Sequence, residues 1–134
     1  KLYQSMVKKI MDETNTGFMS HIGGLSLKKK DINNFVFSTV VKEIHLNSGK
    51  IAHGGFLSTI ADTGMGTAAH AVAGNRRCVT ISLDVKFISA AFINQVLEGR
   101  VKIQKKTRSL IFITCKILNS EETVVTASGV WKIL

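Results

Sequence analysis

His53-Gly54-Gly55-Phe56-Leu57-Ser58-Thr59-Ile60-Ala61-Asp62, running on through Gly64, Met65, Gly66, Ala68 and Ala69 to Val72, is the segment on which the fold turns. Phe56, Leu57, Ile60, Ala61, Met65, Ala68, Ala69 and Val72 recur at three- and four-residue spacing, which predicts a helix over 53–73. Asp62 is its sole acidic residue and it holds no Lys or Arg, so it has no charged face to turn to water and is expected to be buried nearly all round. Gly64, Gly66 and the alanines agree, because small side chains let strands approach a central helix closely. Each Gly forfeits about 1 kcal/mol of helix propensity, which packing must offset.

On both sides of this helix the chain reads as strand. Leu97, Val101 and Ile103 alternate with Glu98, Arg100, Lys102 and Gln104, one face dry and the other wet, which is an antiparallel-sheet pattern. Segments 78–89, 109–118 and 123–133 are β-rich as well, divided by Lys105-Lys106-Thr107-Arg108 and by Asn119-Ser120-Glu121-Glu122, both suited to turns. Ahead of the helix, 22–30 and 34–46 read as two strands joined by a turn at Asp31-Ile32-Asn33. Residues 2–13 set Leu2, Met6, Ile10 and Tyr3, Val7, Met11 on neighbouring helical stripes, predicting an amphipathic helix that ends before the turn chemistry of Thr14-Asn15-Thr16-Gly17. The expected fold is α+β: an antiparallel sheet of about six strands curled around a long central helix, with an N-terminal helix, in a single domain over 1–134.

Hydrophobic residues make up 45% of the chain and charged residues 20%, which suits a globular protein, and no apolar run nears the ~20 residues of a membrane span. Residues 1–6 show no secretory pattern, and Cys78 and Cys115 sit in strand-like apolar contexts without metal-ligand spacing, so reduced thiols and a cytoplasmic location are expected. His21, His45, His53 and His70 show no zinc-type spacing, and no metal or cofactor is expected. The net charge of +9 suits nucleic acid, anionic lipid or a phosphate-bearing small molecule, and charge alone does not choose among these and an unspecialised basic surface. Lys28-Lys29-Lys30 and Lys105-Lys106 lack interleaved aromatic rings for base stacking, so neither nucleic acid nor a membrane is expected as partner.

A lone Asp in an otherwise uncharged helix is the most informative residue. Burying a carboxylate without a partner is costly, so Asp62 is either hydrogen-bonded structurally, protonated, or used. The entry to the helix favours use. Gly54 and Gly55 leave backbone N–H groups accessible there, and the positive end of the helix dipole favours an oxyanion, such as that formed from a thioester carbonyl. An ordinary loop-to-helix turn would carry the same His-Gly-Gly.

The stretch from Asn47 to Asp62 resembles the PaaI-like hot-dog acyl-CoA thioesterases of the 4-hydroxybenzoyl-CoA thioesterase-like superfamily. Those proteins carry an Asn six residues before the His of a His-Gly-Gly turn and an acid nine residues after it, spacings that Asn47, His53 and Asp62 meet. The resemblance implies Asp62 as general base or nucleophile, Gly54 as oxyanion donor and Asn47 as the residue that places the water or carboxylate. It further implies Thr80 as an aid to the water, and His53 as the residue that orders the turn, beside the substrate-binding Gly55 and Phe56. It implies a homodimer, often paired into a dimer of dimers, in which the turn of one subunit meets the acid of the other. The substrate would be an acyl-CoA, with Arg76, Arg77 and Lys106, together with Lys102, Lys105 and Arg108, as candidates for its phosphates.

The chain departs from the family at Ile88-Ser89-Ala90-Ala91-Phe92-Ile93-Asn94-Gln95, where an Arg-Pro-Ala-like step and a Gly-acid turn are common; Asn94 can still make the turn. Phe18, Met19, Phe56, Met65 and Phe92 are either acyl-pocket or plain core residues. The competing functions are a non-catalytic acyl-CoA-binding module and a hydratase or dehydratase, the latter needing a His and acid acting as a pair.

Overall fold

The computed structural model describes residues 2–134 and the side chains of residues 4–134, so the Leu2 and Tyr3 positions on the first helical stripes lie outside the described side chains. Helix α1 (Leu2–Thr14) and the short α2 (Gly17–His21) lead into the hairpin β1 (Ser26–Asp31) and β2 (Asn34–Val40). A 3₁₀ turn (Glu43–His45) and the long α3 (Gly54–Val72) follow, then β3 (Cys78–Phe87), β4 (Val96–Lys106), β5 (Leu110–Asn119) and β6 (Glu122–Ile133). All strand pairs are antiparallel, in the order β1-β2-β4-β5-β6-β3, which leaves β1 and β3 at the two edges. The six-stranded sheet, central helix and N-terminal helix are those expected.

The alternation in β4 works as read: Leu97, Val101 and Ile103 are buried toward the core, while Arg100, Lys102 and Gln104 face water. Phe37 of β2 is fully buried, and its ring fills the space that a Cβ on Gly64 of α3 or Gly99 of β4 would occupy. These two glycines let helix and sheet close around one aromatic ring. Trp131 of β6 plays a similar part beside Gly66 and Gly129.

Three local expectations are corrected. Strand β2 stops at Val40 rather than 46, because Glu43–His45 coil into a 3₁₀ turn around a buried His45. Strand β1 begins at Ser26 rather than 22, because Gly23 and Gly24 adopt positive φ of 104° and 71°. Helix α2 was not foreseen; five residues are too few to show a period. The Asp31 turn forms as read, with Asp31 Oδ1 accepting from Asn33 N at 2.9 Å and from Asn34 Nδ2 at 2.8 Å, bonds that hold its carboxyl below the usual carboxylate range. Asn94 makes its turn at a φ of 71°. No helix among the described residues is long and apolar enough to cross a membrane.

Candidate active site

His53 caps α3. Its Nδ1 accepts from Gly55 N at 2.7 Å and its carbonyl from Leu57 N at 3.0 Å, so the ring proton sits on Nε2 and the Gly55 N–H is already engaged. Of the two glycine donors expected to meet a ligand, Gly54 alone keeps its N–H without a protein acceptor among the described residues. Gly54 lines a cavity of about 350 Å³ together with Asn47, Leu57, Phe87 and Ala90. Asn47 holds its own loop: its Oδ1 accepts from Gly49 N at 2.8 Å and from Ile51 N at 3.3 Å, which leaves its amide NH₂ as an available donor in that cavity.

The turn is braced from behind by His45, whose role the sequence spacing did not reveal. His45 Nδ1 accepts from Lys42 N at 2.9 Å, which leaves Nε2 to donate to the Ile22 carbonyl at 2.6 Å. Its ring stacks on Phe56 with centroids 3.7 Å apart, and its carbonyl accepts from His53 N at 2.8 Å. Phe56, expected beside the substrate, is buried with its ring against His45. Met19 and Met65 are core residues too, and Phe18 and Phe92 line neither this cavity nor the one at Asp62.

Asp62 lies two turns further along α3. Thr80 of β3 donates its hydroxyl to Asp62 Oδ1 at 2.7 Å. The pair opens on a second cavity of about 250 Å³, bordered by Thr63, Gly66, Cys78, His70 and Trp131. The carboxylate is half-exposed rather than sealed in apolar surroundings: α3 is buried through Ile60, Ala61, Gly64 and Met65, but at Asp62 it faces a hydroxyl-rich hollow. A β-bulge between Thr80 and Ser82 shifts the register against Trp131 and Val130 at this point.

The two halves do not meet within one chain. Eight residues of helix separate Gly54 from Asp62, about 12 Å along the axis at 1.5 Å per residue, too far to grip a single carbonyl group. Strand β3 links them. Thr80 near its start touches Asp62, and a Cβ on Gly54 would lie 3.4 Å from the ring of Phe87 at its end. This strand is an unpaired edge, with Val79, Ile81 and Phe87 exposed by 43%, 55% and 55%.

Among the basic candidates, Arg76 donates to the Leu134 carbonyl at 2.8 Å, and Arg76 and Lys106 are both close enough to act on Cys78 at the rim of the Asp62 cavity. Burial pushes the Cys78 thiol up and these two charges only partly offset it, so the thiol is a poor nucleophile. Arg77 borders a neighbouring hollow with His70 and Glu13, whereas Lys102 lies elsewhere, on the outward face of the sheet. Both cysteines are free, and burial holds Cys115 up at about 12. No cluster of potential metal ligands occurs among the described residues.

Residues 49–126 match the thioesterase superfamily. A Pseudomonas aeruginosa protein named "Putative esterase PA0474" is 35% identical over 95 residues, covering 68% of this chain and 69% of its own. Similar folds occur in a Streptococcus pneumoniae hypothetical thioesterase solved with coenzyme A (TM-score 0.83, 22% identity, 92% of this chain and 96% of that one). The Escherichia coli PaaI protein of the phenylacetic acid degradation operon gives a TM-score of 0.86 at 18% identity, over 98% of this chain and 96% of that one. Zebra fish thioesterase superfamily member 2 gives 0.86 at 20% identity, over 98% of both chains.

Proposed function

Because the chain belongs to the thioesterase superfamily, we propose that this thioesterase hydrolyses an acyl-CoA in a homodimer, each site joining Gly54 and Asn47 of one protomer to Asp62 and Thr80 of the other. The observation that carries the reading is the Asp62–Thr80 bond at the mouth of one cavity, with Gly54 at another and an edge strand, open on its outer side, running between them. A two-fold axis through the middle of β3 pairs the strand antiparallel with its copy. That operation sets Thr80 of one protomer opposite Val85 of the other, and Cys78 opposite Phe87, and so brings the acid of one toward the glycine turn of its mate. It also covers Val79, Ile81 and Phe87 and satisfies the edge N–H and C=O groups.

In that site the thioester oxygen rests on the Gly54 N–H at the positive end of α3, with the Asn47 amide as a neighbouring donor. Thr80 holds Asp62 Oδ1, which leaves Oδ2 to take a proton from water as the water oxygen attacks the carbonyl carbon. The tetrahedral oxyanion collapses, the C–S bond breaks, and the thiolate receives the proton from Asp62, giving free acid and coenzyme A. Arg76 and Lys106 border the Asp62 side, where the phosphates of the nucleotide would find positive charge. The reaction uses no metal or cofactor, and the two reduced thiols suit the cytoplasm.

Asp62→Asn keeps the shape and the Thr80 bond but removes the base. It should lower kcat by about 10²- to 10⁴-fold with the dimer intact by sedimentation. Near-normal thiol release from acyl-CoA by this variant would overturn the assignment.

A further inference from the structure

A further hollow lies away from the proposed active site, on the opposite, outward face of the sheet, where about 730 Å³ is walled by Lys30, Lys86, Arg100, Lys102 and Lys116 with Asp84 as the one carboxylate of its lining. The strand register shows how it is built. Lys28, Val36, Arg100, Lys116, Thr126 and Lys86 stand side by side across all six strands, so four of the six positions in a single row are cations. Arg100 and Lys116 are directly opposed on neighbouring strands, and Lys102 follows on the same face. Like charges in that relation repel at Cβ separations of about 5 Å and destabilise a sheet. Glu98 meets Arg100 at 2.9 Å and Asp84 meets Lys86 at 2.7 Å, but Lys30, Lys102 and Lys116 have no carboxylate in ion-pair range among the described residues.

We propose that this face is a second anion site, separate from thioester hydrolysis, that binds the di- or triphosphate of a nucleotide-sized ligand at Arg100, Lys102 and Lys116. The volume falls within the range of small-molecule sites. Thr114, Thr126 and Ser128 add hydroxyl donors between the cations. The only aromatic residue of the lining, Phe35, points its ring into the core, so recognition is of phosphate charge and not of a stacked base. A second copy of the chain is a poor occupant, because it would bring the same row of cations against this one.

The test uses the full chain with inorganic tripolyphosphate as probe, read by calorimetry and thermal unfolding against sodium chloride of equal ionic strength. Lys116→Gln should weaken tripolyphosphate binding by about tenfold, the loss of one charge-assisted contact, while raising the melting temperature of the free protein and leaving acyl-CoA turnover unchanged. Arg100→Gln should weaken tripolyphosphate binding to a similar degree and leave turnover unchanged, but without the gain in melting temperature, because it strips Glu98 of its partner. Equal affinity in wild type and both variants, or a melting shift that sodium chloride reproduces, would overturn the proposal. Tighter binding of a short single-stranded RNA than of tripolyphosphate, lost in the same variants, would also overturn it in favour of a nucleic-acid track. Uptake onto anionic phospholipid vesicles without a response to tripolyphosphate would overturn it in favour of a membrane surface.

Discussion

Gly54 carries its proposed role through a backbone N–H, which no side-chain truncation removes, but its position offers a way to remove that donor. It is the first helical residue of α3, where the N–H has no intrahelical partner and Pro is well tolerated. His53, at φ −64° and ψ 136°, already has the extended conformation required ahead of Pro. Gly54→Pro should therefore retain the helix by circular dichroism and lower kcat by about 10²- to 10³-fold, the usual effect of losing one oxyanion donor. Full activity in a folded Gly54→Pro protein would place the oxyanion elsewhere. His53 and Gly55 contribute differently: their mutual hydrogen bond at 2.7 Å shapes the turn and removes Gly55 from the pool of donors.

Among the elements, α3 depends on two absent side chains. A methyl group at Gly64 would run into the Phe37 ring, which is fully buried and has no room to yield. Gly64→Ala should cost about 1–3 kcal/mol of stability through overpacking, and Phe37→Leu in the same chain should restore part of it, a coupling measurable by chemical denaturation. Additive losses would show that the helix–sheet distance is set by something else. This element was legible in the sequence because a helix enclosed by strands must be apolar and small on nearly every face, and 53–73 is both; the helix observed is Gly54–Val72. The end of β2 was not. The 3₁₀ turn at Glu43–His45 exists because a buried imidazole bonds Lys42 and, 23 residues back, Ile22, and no local spacing encodes a tertiary contact of that kind. The spacing of Asn47, His53 and Asp62 marked out the candidate site, but the bracing His45 and the bordering Cys78, Phe87 and Trp131 come from other elements and carried no periodic signal.

For the whole molecule, the decisive quantity is the distance of about 12 Å between Gly54 and Asp62 along one helix. If catalysis joins them across β3, two inactive chains can make one active site. A Gly54→Pro protomer supplies a sound Asp62, and an Asp62→Asn protomer supplies a sound Gly54, so their heterodimer holds one complete site and one with both defects. Unfolding and refolding an equal mixture should restore about a quarter of wild-type activity, since half of randomly assorted isologous dimers are mixed and each carries one working site of two. Either variant refolded alone should stay inactive. If both groups served a thioester within their own chain, the mixture would remain as inactive as its components, and no exchange of subunits could repair it. The exposed apolar edge of β3 predicts the same assembly from a different direction, because Ile81→Lys places a charge where the strands would pair and should yield folded, inactive monomers by sedimentation.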